Sequence, residues 1–418
     1  MVRREAQGDR PLARRLGTGQ AVVLGLAAML GAGVFTVFAP AADAAGSWLL
    51  LGLFIAAVVA IANAASSAQL AAEYPESGGT YLYGRQRLGE WWGFLAGWSF
   101  VIGKTASCAA MALTIAHYAA PAPYRTAVAV AAVLAMTTAN FLGVTRTAAV
   151  ARWGVTIVVL SLAAFVIAAF SSPAADPGPT PFDPHGVLQS AGLMFFAFAG
   201  YARLATMGEE VKEPDRTIPR SIAIALAIAL GIYLLVALAL LHVLGESGLA
   251  ASGSPLLDAA AASRWSEVAP LIRLGALAGA LGALLALMAG IGRTSLAMAR
   301  HDDLPRWLAA VHPRYRVPHR AELTVAAAVI AIVLVADVRG AIGFSSFGVL
   351  LYYAVANAAA FHQRVEHRRY PRALHVVGFA GCLVLAATLP ISSIGAGLVM
   401  LAGGVAYRFV KGRRLHSR

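Results

Sequence analysis

Charge is scarce in this 418-residue chain: Asp, Glu, Lys and Arg make up 13% of it, where soluble domains carry about a quarter. That deficit excludes an ordinary water-soluble globule. Apolar residues fill the gap, at 59% of the chain and a mean hydropathy of +0.71. Cysteine is nearly absent. Cys108 and Cys382 both fall in long apolar runs, so free thiols are expected rather than a disulfide. Lysine is almost missing as well: Lys104, Lys212 and Lys411 are the only three, and every other fixed cation is arginine. There is no Walker sequence to bind ATP. The ten histidines include no H-E-x-x-H and no paired cysteine cluster accompanies them, so no metal and no other cofactor is expected. No Ser/His/Asp set stands in a motif setting, which leaves an enzyme the weakest reading.

What the chain has instead is long hydrophobic runs. A helical membrane span needs roughly 20 apolar residues. Twelve segments qualify: Gly19–Ala42, Trp48–Ala71, Trp92–Tyr118, Thr126–Leu142, Val150–Phe170, Val187–Met207, Ile222–Leu244, Leu271–Met298, Leu323–Ala336, Ile342–Phe361, Ala373–Leu389 and Ile394–Phe409. The Arg-rich start (Arg3, Arg4, Arg10, Arg14, Arg15) runs into the first span without a clear cleavage site, so no cleaved signal is expected. With the N-terminus inside, 26 of the 33 basic residues collect on one face, four (Arg125, Arg264, Arg273, Arg339) on the other, and Lys104, Arg203 and Arg293 stay in the membrane. The positive-inside rule then places both termini in the cytoplasm of a multi-pass protein. The net charge of +13 reflects orientation and anionic lipid, and nucleic acid is not an expected partner. The outward stretches Ser171–Pro179 and Glu246–Ser254 read as flexible connectors. The inward loop His301–Glu322 reads as a short interfacial helix followed by a turn.

Two spans in matching positions of the two halves are interrupted by glycine at mid-membrane depth, at Gly31-Ala32-Gly33-Val34-Phe35 and at Phe196-Ala197-Phe198-Ala199-Gly200. A broken helix leaves backbone groups unpaired, which lipid does not tolerate unless they line a cavity. Paired breaks in two repeats point to the solute site of a carrier. Glycine lets the backbone unwind and a ligand approach Gly31, Ala32, Gly33 and Val34. The helix that restarts there turns its positive end to the cavity and favours a carboxylate. Freed carbonyls at Phe196, Ala197 and Ala199 suit an ammonium group. A zwitterionic amino acid fits both. The competing reading of the first motif is helix packing, since small residues also let membrane helices approach.

The surrounding sequence resembles the amino acid–polyamine–organocation (APC) superfamily of amino acid permeases. The likeness is carried by Gly31–Phe35, by Glu73-Tyr74-Pro75-Glu76-Ser77-Gly78-Gly79-Thr80-Tyr81, and by Phe195–Tyr201 with Gly208–Pro214 and Ile218-Pro219-Arg220. It continues in Arg293 and Met298–Pro305. The resemblance implies an all-α, LeuT-type fold: two inverted five-helix repeats (17–172 and 185–361) with broken helices 1 and 6, two extra helices (373–410), and cytoplasmic tails 1–16 and 411–418. It implies alternating access, carboxylate binding by the backbone of Ala32, Gly33 and Val34, amine binding by the carbonyls of Phe196, Ala197 and Ala199, and Phe198 or Tyr201 as an aromatic lid. For either aromatic, ordinary helix packing is the alternative.

The chain departs from its relatives in the coupling region. Where proton-coupled relatives place a lysine in the fifth span, counting from Asn140 and Gly143 reaches Val159. Lys104, deep in the third span, is the replacement candidate, because a cation there is costly unless paired, hydrated or neutral. It can be a proton-coupling site, a side-chain selector or a structural partner of carbonyls. Related cationic carriers have a glutamate about where Gly103 stands, so a neutral or acidic substrate side chain is favoured. Arg203 or Arg293 is expected to pair with Glu209 or Glu210, as an inner gate or a static bridge, with Glu73 a weaker member. His117 and His242 read as interfacial. The sequence therefore points to secondary transport of amino acids across a bacterial inner membrane, driven by protons or by exchange. An amine or polyamine antiporter and a non-transporting amino acid sensor are the alternatives.

Overall fold

Alanine, leucine, valine and glycine leave this chain one economical way to pair its backbone in lipid, the helix. The computed structural model describes residues 16–74, 78–143, 148–176, 181–205 and 211–416. Among them the non-helical pairing is one isolated parallel bridge, Leu16 with Val211. The first expected span arrives in three pieces, α1 (Thr18–Met29), α2 (Gly33–Thr36) and α3 (Phe38–Ala45). After them come α4 (Leu49–Glu73), α5 (Gly79–Leu88), α6 (Glu90–Ala119), α7 (Arg125–Phe141) and α8 (Ala148–Phe170). The second half opens with α9 (Pro184–Phe198), a 3-10 turn at Ala199–Tyr201 and α10 (Ala202–Ala205). Then follow α11 (Pro214–Ala251), α12 (Pro255–Ala262), α13 (Ala269–Arg300), α14 (His319–Val335) and α15 (Val338–Phe361), with α16 (Arg372–Ala387) and α17 (Ile391–His416) at the end. Nine helical stretches among the described residues are long and apolar enough to cross a bilayer. Helix α16 is a shorter apolar one, and α7 and α14 have 17 residues each.

The first helix of each half packs on the second helix of the other. Helices α1 and α3 lie on α11, and α9 lies on α4, while α6 packs on both α13 and α15. Small residues make the α6–α15 crossing tight: a Cβ on Gly103 would stand 3.1 Å from the Gly348 Cα. A side chain at position 103 would press on the α15 backbone, and a glutamate there would force the two helices apart. Ser107 and Ser345 share a 2.5 Å hydrogen bond across the same crossing.

A polar string fastens α16 to α4 and α15. Gln69 Oε1 accepts the N–H groups of Arg369 and Tyr370 at 2.8 and 2.9 Å. Its amide nitrogen therefore faces His375 Nε2, 3.3 Å away, as donor. This assigns the proton of the fully buried His375 to Nδ1, which donates to Ser66 Oγ at 2.7 Å. Ser66 donates to Asn357 Oδ1 at 2.6 Å, and Asn357 Nδ2 donates to Asn63 Oδ1 at 2.6 Å and the Tyr353 carbonyl at 2.9 Å. Every donor points the same way along the string.

One connector differs from the expectation. The segment from Glu246, expected to be a flexible outward connector, is helical as far as Ala251, because Gly245 at φ +65° turns the chain and lets a new helix start. The segment from Gly79 forms α5, a helix whose basic last turn carries Arg85 and Arg87. The expected inward turn after α13 contains a 3-10 helix, Arg306–Ala309. Cys108 and Cys382 are free and buried, as expected.

Candidate functional site

The first break is real and brief. Helix α1 closes at Leu30, whose N–H reaches Leu26 O at 2.7 Å. Leu30, Gly31 and Ala32 are outside helix, and α2 restarts with Phe35 N–H on Ala32 O at 3.0 Å. The N–H groups of Gly33 and Val34 precede that first bond, so they open α2 without an intrahelical acceptor. The second break tightens from α9 into the 3-10 turn at Ala199, whose N–H still bonds Phe195 O. The two breaks touch through their backbones: a Cβ on Gly33 would stand 2.8 Å from the Ala197 Cα and 2.9 Å from its Cβ. Glycine at 33 is thus a condition of the contact. The opening of one helix and the carbonyl end of another meet at one place, donors beside acceptors.

Three side chains crowd this junction. Tyr233 on α11, 1% exposed, puts its hydroxyl 2.8 Å from the Met29 carbonyl and 2.9 Å from the Ala197 carbonyl, sharing one proton between the two breaks. Lys104 Nζ donates to the Ala199 carbonyl at 3.4 Å, and the Tyr353 hydroxyl donates to the same oxygen at 3.4 Å. Lys104 is buried at 7% exposure, and its bonded partner is a carbonyl rather than a carboxylate. Tyr118 donates to Phe35 O at 2.8 Å and holds the restarted helix. The sequence reading missed Tyr233 and Tyr353. The signal was there: a tyrosine inside an apolar span must find a partner for its hydroxyl.

The other expected residues divide. Ala32 and Val34 are fully buried at the break, and Phe196, Ala197 and Ala199 are buried around the second. Gly31 faces α13, where a Cβ would meet that of Ala283 at 2.7 Å, so it packs a helix. Phe198 sits edge-on against Tyr233, with ring centroids 5.1 Å apart, and lines an apolar groove on the opposite side. Tyr201 stacks on Tyr353 at 5.1 Å. In α8 the residue beside the break is Val158, 1% exposed and close to Gly279, whereas Val159 is 37% exposed. Both are apolar, so the one-residue shift does not restore the missing lysine.

The expected inner charge pairs lie partly beyond reach, since Glu209 and Glu210 fall outside the described residues. Arg203 is half-buried in α10. Arg293 is exposed on α13 and its field reaches Glu322 at the start of α14. The built network is elsewhere. Asp303, 5% exposed, accepts from Arg85 at 2.7 Å, from Arg408 at 2.5 Å and from the Tyr81 hydroxyl at 2.7 Å. Its neighbour Asp302 pairs with Arg306, whose hydrogen bonds hold that carboxyl below the usual range. Glu73 accepts from Arg87 and from Gln363.

Comparison with known proteins agrees with this architecture. A family model described as amino acid permease matches residues 20–414. An uncharacterized transporter of Mycobacterium tuberculosis is 57% identical over 399 residues, covering 94% of this chain and 90% of its own. A branched-chain amino acid permease of Bacillus subtilis is 27% identical over 339 residues, 75% of this chain and 72% of the relative. A serine/threonine exchanger of the same organism is 28% identical over 432 residues, 94% and 95% of the two chains. These relatives are transporters, and the chain is accordingly a multi-pass membrane transporter for small molecules such as amino acids, not an enzyme. The chain belongs to the amino acid permease family.

Proposed function

We propose that this permease moves amino acids across the bacterial cytoplasmic membrane by alternating access, with the zwitterion held between the two breaks. The carrying observation is the backbone contact of Gly33 with Ala197. It sets the N–H groups that open α2 beside the carbonyls that end α9. In this reading the carboxylate takes the N–H groups of Ala32, Gly33 and Val34. The ammonium takes the carbonyls at Phe196, Ala197 and Ala199. Tyr201 is the aromatic lid in this reading, since it stacks on Tyr353 beside the Ala199 carbonyl, whereas Phe198 lies behind Tyr233 and lines the groove. Twelve spans in two inverted five-helix repeats, 17–172 and 185–361, and both termini in the cytoplasm complete the proposal. The crossed packing of α1 on α11 and α9 on α4 supports the repeat, and the concentration of arginine on one face supports the orientation. Arg203 and Arg293, with Glu209 and Glu210, remain the proposed inner gate.

Lys104 gives the coupling a sign. Its ammonium already donates to the Ala199 carbonyl, the same oxygen proposed for the substrate's ammonium. Two cations about 4 Å apart repel by about 4 kcal/mol at an effective dielectric of 20. Substrate and a proton on Lys104 therefore oppose each other, and substrate affinity rises as pH rises. The same cation disfavours arginine or lysine as substrate and favours neutral side chains. Lys104→Met is expected to flatten that pH dependence while exchange continues, as read by radiolabel uptake at a series of pH values. An unchanged pH profile removes Lys104 from coupling.

The direct test of the function is counterflow. Proteoliposomes preloaded with mixed amino acids and offered each radiolabelled amino acid in turn should take up a subset selectively. No uptake of any amino acid by folded protein defeats the reading.

A further inference from the structure

Away from the junction, α4, α11 and α16 enclose a cavity of about 340 Å³ that opens on the surface. Its walls are apolar because small residues recede there: Ala57, Ala64 and Ala68 on α4 and Ala223 and Ala227 on α11. Water gains nothing in such a space, where it finds no polar partners. Along α11 the lining runs from Pro219 to Leu230, a rise of about 16 Å. That is the depth of one leaflet of a hydrocarbon core about 30 Å thick.

One end of the groove is charged. Arg216, Arg220, Arg369 and Arg372 all lie within three residues of the lining residues Pro219 or Tyr370, and all four are exposed. Arg369 donates to the Asp215 carbonyl and so draws the entrance of α16 against the start of α11. The nearby carboxylates, Glu213, Asp215 and Glu366, are three against four, and the Glu213–Arg216 pair is loose at 3.9 Å. An apolar trough of one-leaflet depth that ends in surplus arginines matches a lipid tail below a phosphate.

We infer that an acyl chain of an anionic phospholipid occupies the α4–α11–α16 groove, with its head group at Arg216, Arg220, Arg369 and Arg372. The seated tail touches Phe198, whose ring packs on Tyr233, the residue that bonds both breaks. The lipid thus contacts the back of the junction while staying out of it. The binding claim stands apart from the substrate reading, and its test does not use transport.

The full-length protein in detergent is titrated with dioleoyl phosphatidylglycerol or dioleoyl phosphatidylcholine and followed by native mass spectrometry. The first phosphatidylglycerol should bind more tightly than the first phosphatidylcholine. Arg220→Ala and Arg372→Ala should each weaken phosphatidylglycerol by about fivefold and leave phosphatidylcholine unchanged. Ala227→Phe fills the trough from its exposed wall and should remove the first bound lipid of either kind, with the unfolding temperature in lipid-free detergent unchanged. Equal affinity for the two lipids, or a first lipid that survives Ala227→Phe, overturns the inference. Self-association that Ala227→Phe abolishes and lipid does not affect assigns the groove to a second copy of the chain, and overturns it as well.

Discussion

Gly33→Leu is expected to abolish substrate binding in a protein that still folds. The site needs Gly33 for two reasons. Its N–H is one of the donors proposed for the carboxylate, and its missing side chain lets α2 meet α9. A Cβ alone would come within 2.9 Å of two Ala197 atoms. A leucine therefore pushes the two breaks apart and separates the donors from the acceptors. Hydrogen bonds to a charged group contribute about 1.5–3 kcal/mol each, so losing two of them weakens binding by more than about 100-fold. Overpacking costs about 1–3 kcal/mol of stability, which a large helical protein survives. The measurement is radioligand binding to purified protein, with thermal unfolding alongside. Gly31→Ala is the contrast, because that position packs on α13 and should lose stability more than affinity. Binding of Gly33→Leu within a few-fold of the parent would remove the carboxylate from this backbone.

Asp303→Ala is expected to be the most destabilising single change among the charged residues. The buried carboxylate serves two arginines and a tyrosine hydroxyl, joining the end of α13 to α5 and α17. Arg85 and Arg408 are 18% and 17% exposed. Without Asp303 their remaining ion pairs are the longer contacts to Glu90, at 3.2 and 3.5 Å, on a carboxylate that is 72% exposed. Breaking a buried pair by removing one partner costs about 3–5 kcal/mol, because the remaining charge stays desolvated. Thermal unfolding in detergent should show a clear drop for Asp303→Ala and little change for Asp302→Ala, whose pair with Arg306 is open to solvent. Equal behaviour of the two variants would mean that the buried network does not hold this face together.

The helical, membrane-spanning character and the two breaks were legible because their causes are local. Twenty apolar residues in a row satisfy their backbone as helix whatever surrounds them. Glycine at 31, 33 and 200 interrupts that pattern in the sequence itself. Asp303 was passed over although it lies within a quoted motif, since a carboxylate beside the membrane reads as solvated until its partners are known. Those partners lie 218 and 105 residues away in the chain. The aromatic at the second break divides the same way. Sequence alone does not show that Tyr201 stacks on Tyr353 while Phe198 turns to the groove, because both sit on one short stretch whose winding changes between them.

Composition and periodicity by themselves determined that this is a helical membrane protein with paired breaks, since hydropathy acts residue by residue and glycine interrupts a helix locally. Tertiary structure alone decided which backbone faces which: that Gly33 meets Ala197, that Gly31 packs on α13, that Lys104 reaches Ala199, and that Tyr233 bonds both breaks. Those choices depend on how helices distant in sequence cross. Crossing is set by the fit of small residues on both partners, and neither partner carries that information alone.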